Sequence, residues 1–230
     1  PQHLIEKHQI SMIPLTLQVG ASMYLDRTTI ASEQFYNLLE TSPVYPTTSQ
    51  PSYKDFINKY SYLSSHYEST IGIHLSKHLS GTFSNSQRAA KAVSEQSGRA
   101  ISVLNSNRLS RNDKNQLRVT ATSLLYLVKS GRLSHSKGVL GKLLGVNPII
   151  SVNNDGKAYT YGKAFSEKGS MKLLMNDATA LVEKGKIWGY SISHIRNPET
   201  ANWYASQMET LTGKKPVFIN DCSPVLGVHG

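Results

Sequence analysis

Residues 69–104 constrain the fold more than any other part of the chain, because the hydrophobic period changes twice within them. Ile71, Ile73 and Leu75 alternate with small or polar residues, the period-two pattern of a strand with one buried face. After Ser80-Gly81-Thr82 the apolar residues Phe83, Ala89, Ala90 and Val93 recur at helical spacing, until Gly98 stops the run. Residues 100–104 then read as a second short apolar strand. The Ser80-Gly81-Thr82 turn therefore opens a helix directly after a strand, where free backbone N–H groups and the positive end of a helix dipole converge and stabilise a carboxylate or phosphate without a basic side chain.

Similar punctuation runs along the rest of the chain. Residues 10–17 read as a first strand, and Ser32 as the cap of a short helix carrying Phe35, Tyr36, Leu38 and Leu39. Pro46-Thr47-Thr48-Ser49-Gln50-Pro51 reads as a second hydroxyl-rich loop. A helix over 52–65 follows it, with Ser52 as cap and Asp55 three residues on, which offers a second anion-tolerant helix start. Residues 108–116 are the clearest break, polar and without core residues between Ser110 and Asn115. Beyond it the expected elements are a strand at 117–121, helices near 123–131 and 136–145, and a hairpin over 147–162 turned by Asn153-Asn154-Asp155-Gly156-Lys157. A helix at 167–184, a strand at 187–193, a helix at 198–211 and a strand at 216–219 complete the reading. This alternation predicts an α/β fold of two α/β domains with mostly parallel sheets, 1–112 and 113–230.

Composition removes several function classes. The chain has 230 residues, 39% hydrophobic and 17% charged, enough for a sizeable core in a soluble globular protein. The formal charge is +10, but the lysines and arginines are scattered, which argues against nucleic acid. No run approaches the roughly 20 apolar residues of a membrane helix. The start, Pro1-Gln2-His3-Leu4, has neither an initiator Met nor a signal-peptide core and reads as part of a longer protein. Cys222 is the sole cysteine, which excludes an internal disulfide and fits a reducing cytoplasm. His74 and His78 straddle a strand-to-turn junction without a carboxylate in a ligand pattern, so no metal site is expected. A Walker-type phosphate loop is also absent.

The order of the motifs resembles a known family. Thr47-Thr48-Ser49-Gln50-Pro51, His74-Leu75-Ser76, Leu79-Ser80-Gly81-Thr82-Phe83, Gly131-Arg132-Leu133-Ser134, the segment 141–150 and the closing Pro224-Val225-Leu226-Gly227-Val228-His229-Gly230 are similar to the DegV family of bacterial fatty-acid-binding proteins. The resemblance implies a lipid site between the two domains, the first carrying carboxylate-binding loops and the second an acyl-chain pocket. It assigns Thr47, Thr48 and Ser80 as head-group donors, with Gly81 and Thr82 completing the turn, and adds Asp26, Arg132 and His229 around the carboxylate. Asp26 reads equally as a turn cap, Arg132 as a helix C-terminal contact and His229 as an exposed terminal residue.

Relative to that family the chain is short near 108–116, by two helices, and at its start, by a first strand and its acidic-serine loop; either the protein lacks these elements or the sequence leaves their residues out and joins the flanks, the second being favoured. Leu124, Leu127, Leu140, Leu143, Leu144, Ile149 and Ile150 are candidates for an acyl tunnel and equally for ordinary core. Burying about sixteen methylenes offers on the order of 10 kcal/mol before ordering costs, so the tail supplies affinity and the head orientation.

The implied role is that of a cytoplasmic carrier, not an enzyme. It has no cofactor beyond a bound fatty acid, which it presents to a separate fatty acid kinase for acyl-phosphate formation, with an acyltransferase and the membrane surface as transient partners in phospholipid synthesis. The basic cluster that kinase-coupled relatives carry after the second-domain hairpin is thinner here, at Lys163-Ala164-Phe165-Ser166-Glu167-Lys168. Two alternatives are a serine hydrolase using Ser80 with His74, His78 or His229, against which no Gly-x-Ser-x-Gly surrounds Ser80, and a module for another small anionic amphiphile.

Overall fold

The computed structural model describes residues 2–106, 116–121 and 146–228. Helix α1 (Gln2–Lys7) leads into a hairpin of β1 (Thr16–Val19) and β2 (Ser22–Leu25), turned at Gly20 with φ +59°. The expected first strand at 10–17 thus begins only at Thr16. Strand β3 (Thr47–Ser49) pairs antiparallel with the other edge of β1, with Leu17 opposite Thr48 and Gln18 opposite Thr47. The stretch expected as a hydroxyl-rich loop is therefore a strand between two prolines, because β-branched threonines suit a pleated edge. Helix α2 (Ser32–Thr41) covers this sheet with Phe35 and Tyr36. Its cap is Ala31, not Ser32, and the Ala31 N–H is satisfied by Gln34 Oε1 at 3.1 Å.

A second layer follows from α3 (Tyr53–His66), β4 (Ser69–His74), α4 (Thr82–Ser97) and β5 (Ala100–Asn105). Strands β4 and β5 pair in parallel from Ser69 opposite Ala100 to His74 opposite Asn105, as a strand-helix-strand unit requires. Phe56 and Tyr60 of α3 and Ala89, Ala90 and Val93 of α4 form the core beneath them. The period-two reading of β4 holds, but Ile71 and Ile73 lie on the open face, 65% and 71% exposed. The helices cover the face of Gly72 and His74, where the Tyr60 hydroxyl approaches Gly72 too closely for any side chain.

The remaining sheets mix both senses. Strands β6 (Val119–Thr120), β7 (Asn147–Val152) and β8 (Ala158–Ala164) are antiparallel, and Asn153 Oδ1 accepts from the Asp155 and Lys157 N–H groups in the turn joining β7 to β8. Arg118 bridges Asp177 at 2.8 Å and stacks 3.7 Å above the Tyr161 ring, tying this sheet to the helix Glu167–Glu183. The helix Pro198–Thr212 separates β9 (Ile192–His194) from β10 (Ile219–Asp221), which pair in parallel. Among the described residues, parallel pairing of strands is confined to β4–β5 and β9–β10, with one further isolated parallel bridge between Asp26 and Ile30. The hairpins turned at Gly20 and Gly156 are too short for a crossover and force the antiparallel sense. The helices expected at 123–131 and 136–145 lie outside the described residues.

After β10 the chain returns to the first sheet. The short helix Pro224–Gly227 brings Val225 and Val228 into one core with Leu17, Ile30, Phe35 and Tyr36, and the Tyr36 hydroxyl donates to the Cys222 carbonyl at 3.2 Å. A Cβ at Gly227 would lie 2.5 Å from the Tyr36 hydroxyl and 2.8 Å from Cζ of that buried ring. Gly227→Ala is expected to destabilise the protein by about 1–3 kcal/mol through overpacking. Thermal unfolding checks this, and an unchanged midpoint refutes it.

Candidate functional site

Two helix starts were candidates for anion binding, and their local chemistry separates them. At α3 the chain has supplied its own anion: Asp55 Oδ2 accepts from the Ser52 N–H at 2.8 Å and from the Ser52 hydroxyl at 2.7 Å, while Ser52 Oγ accepts from the Asp55 N–H at 3.1 Å. This is the capping box expected from Ser52 and Asp55, and it already places a carboxylate at the α3 start. At α4 the N-cap position is Gly81, which has no side chain to cap the end. Ser80 Oγ accepts from the Thr82 N–H at 3.2 Å and shares a hydrogen bond with Thr82 Oγ1 at 2.7 Å. Among the described residues the N–H groups of Phe83 and Ser84 have no acceptor. They and the helix dipole leave a neutral, donor-rich end.

The turn before α4 is held from behind. Buried Ser76 accepts backbone bonds from Leu79 at 2.9 Å and Ser80 at 3.2 Å through its carbonyl, and from the His78 N–H at 3.2 Å through its hydroxyl. Its front meets the residue pair just beyond β3. Gln50 lies so close over Gly81 that a Cβ there would sit 2.7 Å from Nε2, and Asn85 Nδ2 donates to the Pro51 carbonyl at 3.0 Å. The end of β3 and the Ser80-Gly81-Thr82 turn are thereby brought together. Gln50 and Asn85 were not among the expected site residues, although Gln50 stands inside the threonine motif and Asn85 one turn beyond Thr82.

Strand alternation divides the two threonines. Thr48 pairs with fully buried Leu17 and is half-buried, whereas Thr47 lies exposed beside Gln18 on the opposite face. Asp26 sits at the same end of the sheet as Gln50 but beyond β2, its N–H bonded to the Leu15 carbonyl at 2.9 Å. Burial raises the Asp26 pKa, opposed by hydrogen bonds from the Ser223 hydroxyl and the Val225 backbone, and its Oδ1 has no partner among the described residues. Asp26 thus meets the returning C-terminal segment. Ile149 and Ile150 are buried core of β7. Arg132 and His229, with Leu124, Leu127, Leu140, Leu143 and Leu144, lie outside the described residues.

Among the described residues the Ser80 hydroxyl is hydrogen-bonded to Thr82 and to no histidine. His74 packs edge-on against Phe56 at 5.4 Å, its buried Nε2 has no partner among the described residues, and burial pushes its pKa down. Folding therefore favours the neutral ring. That contribution is present above the ordinary histidine pKa of about 6.5 and is lost as the pH falls through the lowered value. The melting temperature is expected to drop more steeply from pH 7.5 to 5 in the wild type than in His74→Leu; equal slopes refute it.

No helix among the described residues is long and apolar enough to cross a membrane, and they hold no group of three or more metal-ligating side chains. The family model described as "Uncharacterised protein, DegV family" matches residues 1–117 and 109–230, its two matches meeting at the polar break. The DegV domain-containing protein SAR1438 of Staphylococcus aureus is 28% identical over 98% of this chain and 89% of its own length. A stearic-acid-binding protein from Eubacterium ventriosum superimposes with a TM-score of 0.86 at 19% identity, covering 100% of this chain and 90% of that one. DegV from Bacillus subtilis, described as a fatty acid binding protein, gives 0.83 at 24% identity with the same coverage. The α/β architecture is thus the two-domain fold of these proteins, and the chain belongs to the DegV family.

Proposed function

We propose that the protein binds a long-chain fatty acid by its carboxylate where the end of β3 meets the start of α4, and presents that carboxylate to a separate kinase for acyl-phosphate formation. The observation that supports this reading is the seating of Gln50 on Gly81, which sets the residue just beyond Thr47–Ser49 against the Ser80-Gly81-Thr82 turn; in this reading Thr48, Ser80 and Thr82 serve as neutral donors beside the α4 start. Neutral donors orient a carboxylate without locking it in an ion pair, which leaves an oxygen free to attack a phosphoryl group. Membership of the DegV family, and the fatty acids bound by proteins of the same fold, support the choice of ligand.

In this reading residues 1–112 supply the head-group donors and residues 113–230 the acyl pocket, with Arg132 and His229 as further polar groups. The protein is a carrier within the cytoplasm that feeds phospholipid synthesis, and the phosphoryl chemistry belongs to its partner. Denaturing mass spectrometry of protein purified from bacteria is expected to detect one co-purified acyl chain. Thr48→Ala and Ser80→Ala are each expected to weaken retention about tenfold, the loss of one hydrogen bond to a charged group. Absence of acyl chains from the wild type, or equal content in both variants, overturns the assignment.

A further inference from the structure

A cleft of about 410 Å³ opens beside the turn that precedes Ser80. Its walls are Lys77 and His78, Asn105 at the end of β5, and Asn154, Asp155 and Lys157 from the turn joining β7 to β8. Every wall residue is polar or charged, so the cleft suits a small hydrophilic ligand and not an acyl chain. It lies outside the carboxyl ends of the parallel strands β4 and β5, the position where open α/β sheets take ligands. Lys77 and Lys157 approach it from two different sheets, and neither joins an ion pair among the described residues.

Both lysines stand on fixed turns. The Lys77 N–H donates to Asn105 Oδ1 at 3.2 Å, and the Lys157 N–H donates to Asn153 Oδ1 at 2.9 Å. Among the described residues the hollow is lined by two lysines and a single carboxylate, Asp155, so a multivalent anion there balances the excess positive charge while accepting hydrogen bonds from the lysines. We propose that the cleft between Lys77, His78 and Lys157 is a phosphate-binding site, taking inorganic phosphate or the phosphoryl end of a larger molecule. Lysine suits this task as a flexible point charge able to follow a tetrahedral anion. The site does not depend on the fatty-acid reading, since none of its side chains is a proposed head-group donor.

The test titrates inorganic phosphate into delipidated protein, followed by calorimetry in low-chloride buffer. The wild type is expected to bind one equivalent saturably. Lys77→Gln and Lys157→Gln are each expected to weaken binding about fivefold and together more than tenfold. Lys91→Gln, which alters an exposed lysine paired with Glu95 elsewhere, is expected to leave it unchanged. No saturable binding below about 20 mM, a range set by the weakness of single exposed charge pairs, or equal binding in the double variant, overturns the proposal. Flotation with phosphatidylglycerol and phosphatidylcholine vesicles then identifies the source. Lysine-dependent retention on the anionic vesicles alone assigns the phosphoryl group to a lipid head, and retention on neither assigns it to a soluble phosphate. Acyl content measured on the same preparation before delipidation keeps the two readings separate, because phosphate binding by a chain without lipid leaves this site standing.

Discussion

Phe56→Ala is expected to destabilise the protein by about 3–5 kcal/mol, the range for deleting a buried aromatic ring. The ring is fully buried, packs 5.9 Å from Tyr60 and 5.4 Å from His74, and anchors α3 beneath β4. Loss of that volume cannot be repaired by α3 sliding inward, because Tyr60 is held to Ser86 of α4 by a 2.5 Å hydrogen bond between their buried hydroxyls. For a chain of this length the midpoint is expected to fall by about 10 °C. The turn carrying Ser80 begins where β4 ends, so acyl retention is expected to fall with stability. A midpoint within 2 °C of the wild type, taking about 2–4 °C per kcal/mol, contradicts this account of the core.

Gly81→Leu is expected to have the largest effect on binding with little effect on folding. Gly81 has φ −72°, so its backbone tolerates any side chain, and the three atoms nearest to an added Cβ all belong to the Gln50 amide. The Gln50 amide is the far end of a flexible side chain and swings away, which opens the contact between the end of β3 and the α4 terminus without disturbing the core. Acyl retention is expected to drop at least tenfold, the equivalent of about 1.4 kcal/mol, while the unfolding midpoint moves by less than about 3 °C. Gln50→Ala separates sterics from chemistry. If Gln50 is itself a donor, Gln50→Ala loses retention on its own; if it only marks the seam, Gly81→Ala and Gln50→Ala combined bind better than Gly81→Ala. Retention unchanged in Gly81→Leu removes the joined cluster as the head-group site.

What the sequence determined by itself is the run of elements from 52 to 105 and the capping that delimits them. Ser52 with Asp55, Gly98 in left-handed conformation and Asn153 through Gly156 act through their own backbone neighbours, so their meaning is local and survives without a tertiary structure. The family membership was legible for the same reason, since its motifs are short and ordered along the chain. Which face of β4 is buried, and that Thr47 and Thr48 part to opposite sides of a strand, were decided only when α3 and α4 covered Gly72 and when β1 paired with β3. The same holds for Gln50 on Gly81 and for Val225 and Val228 closing over Tyr36, pairs separated by tens or hundreds of residues. Hydrophobic period records that a face exists, but burial is a property of two surfaces in contact, and the second surface is supplied by a distant part of the chain.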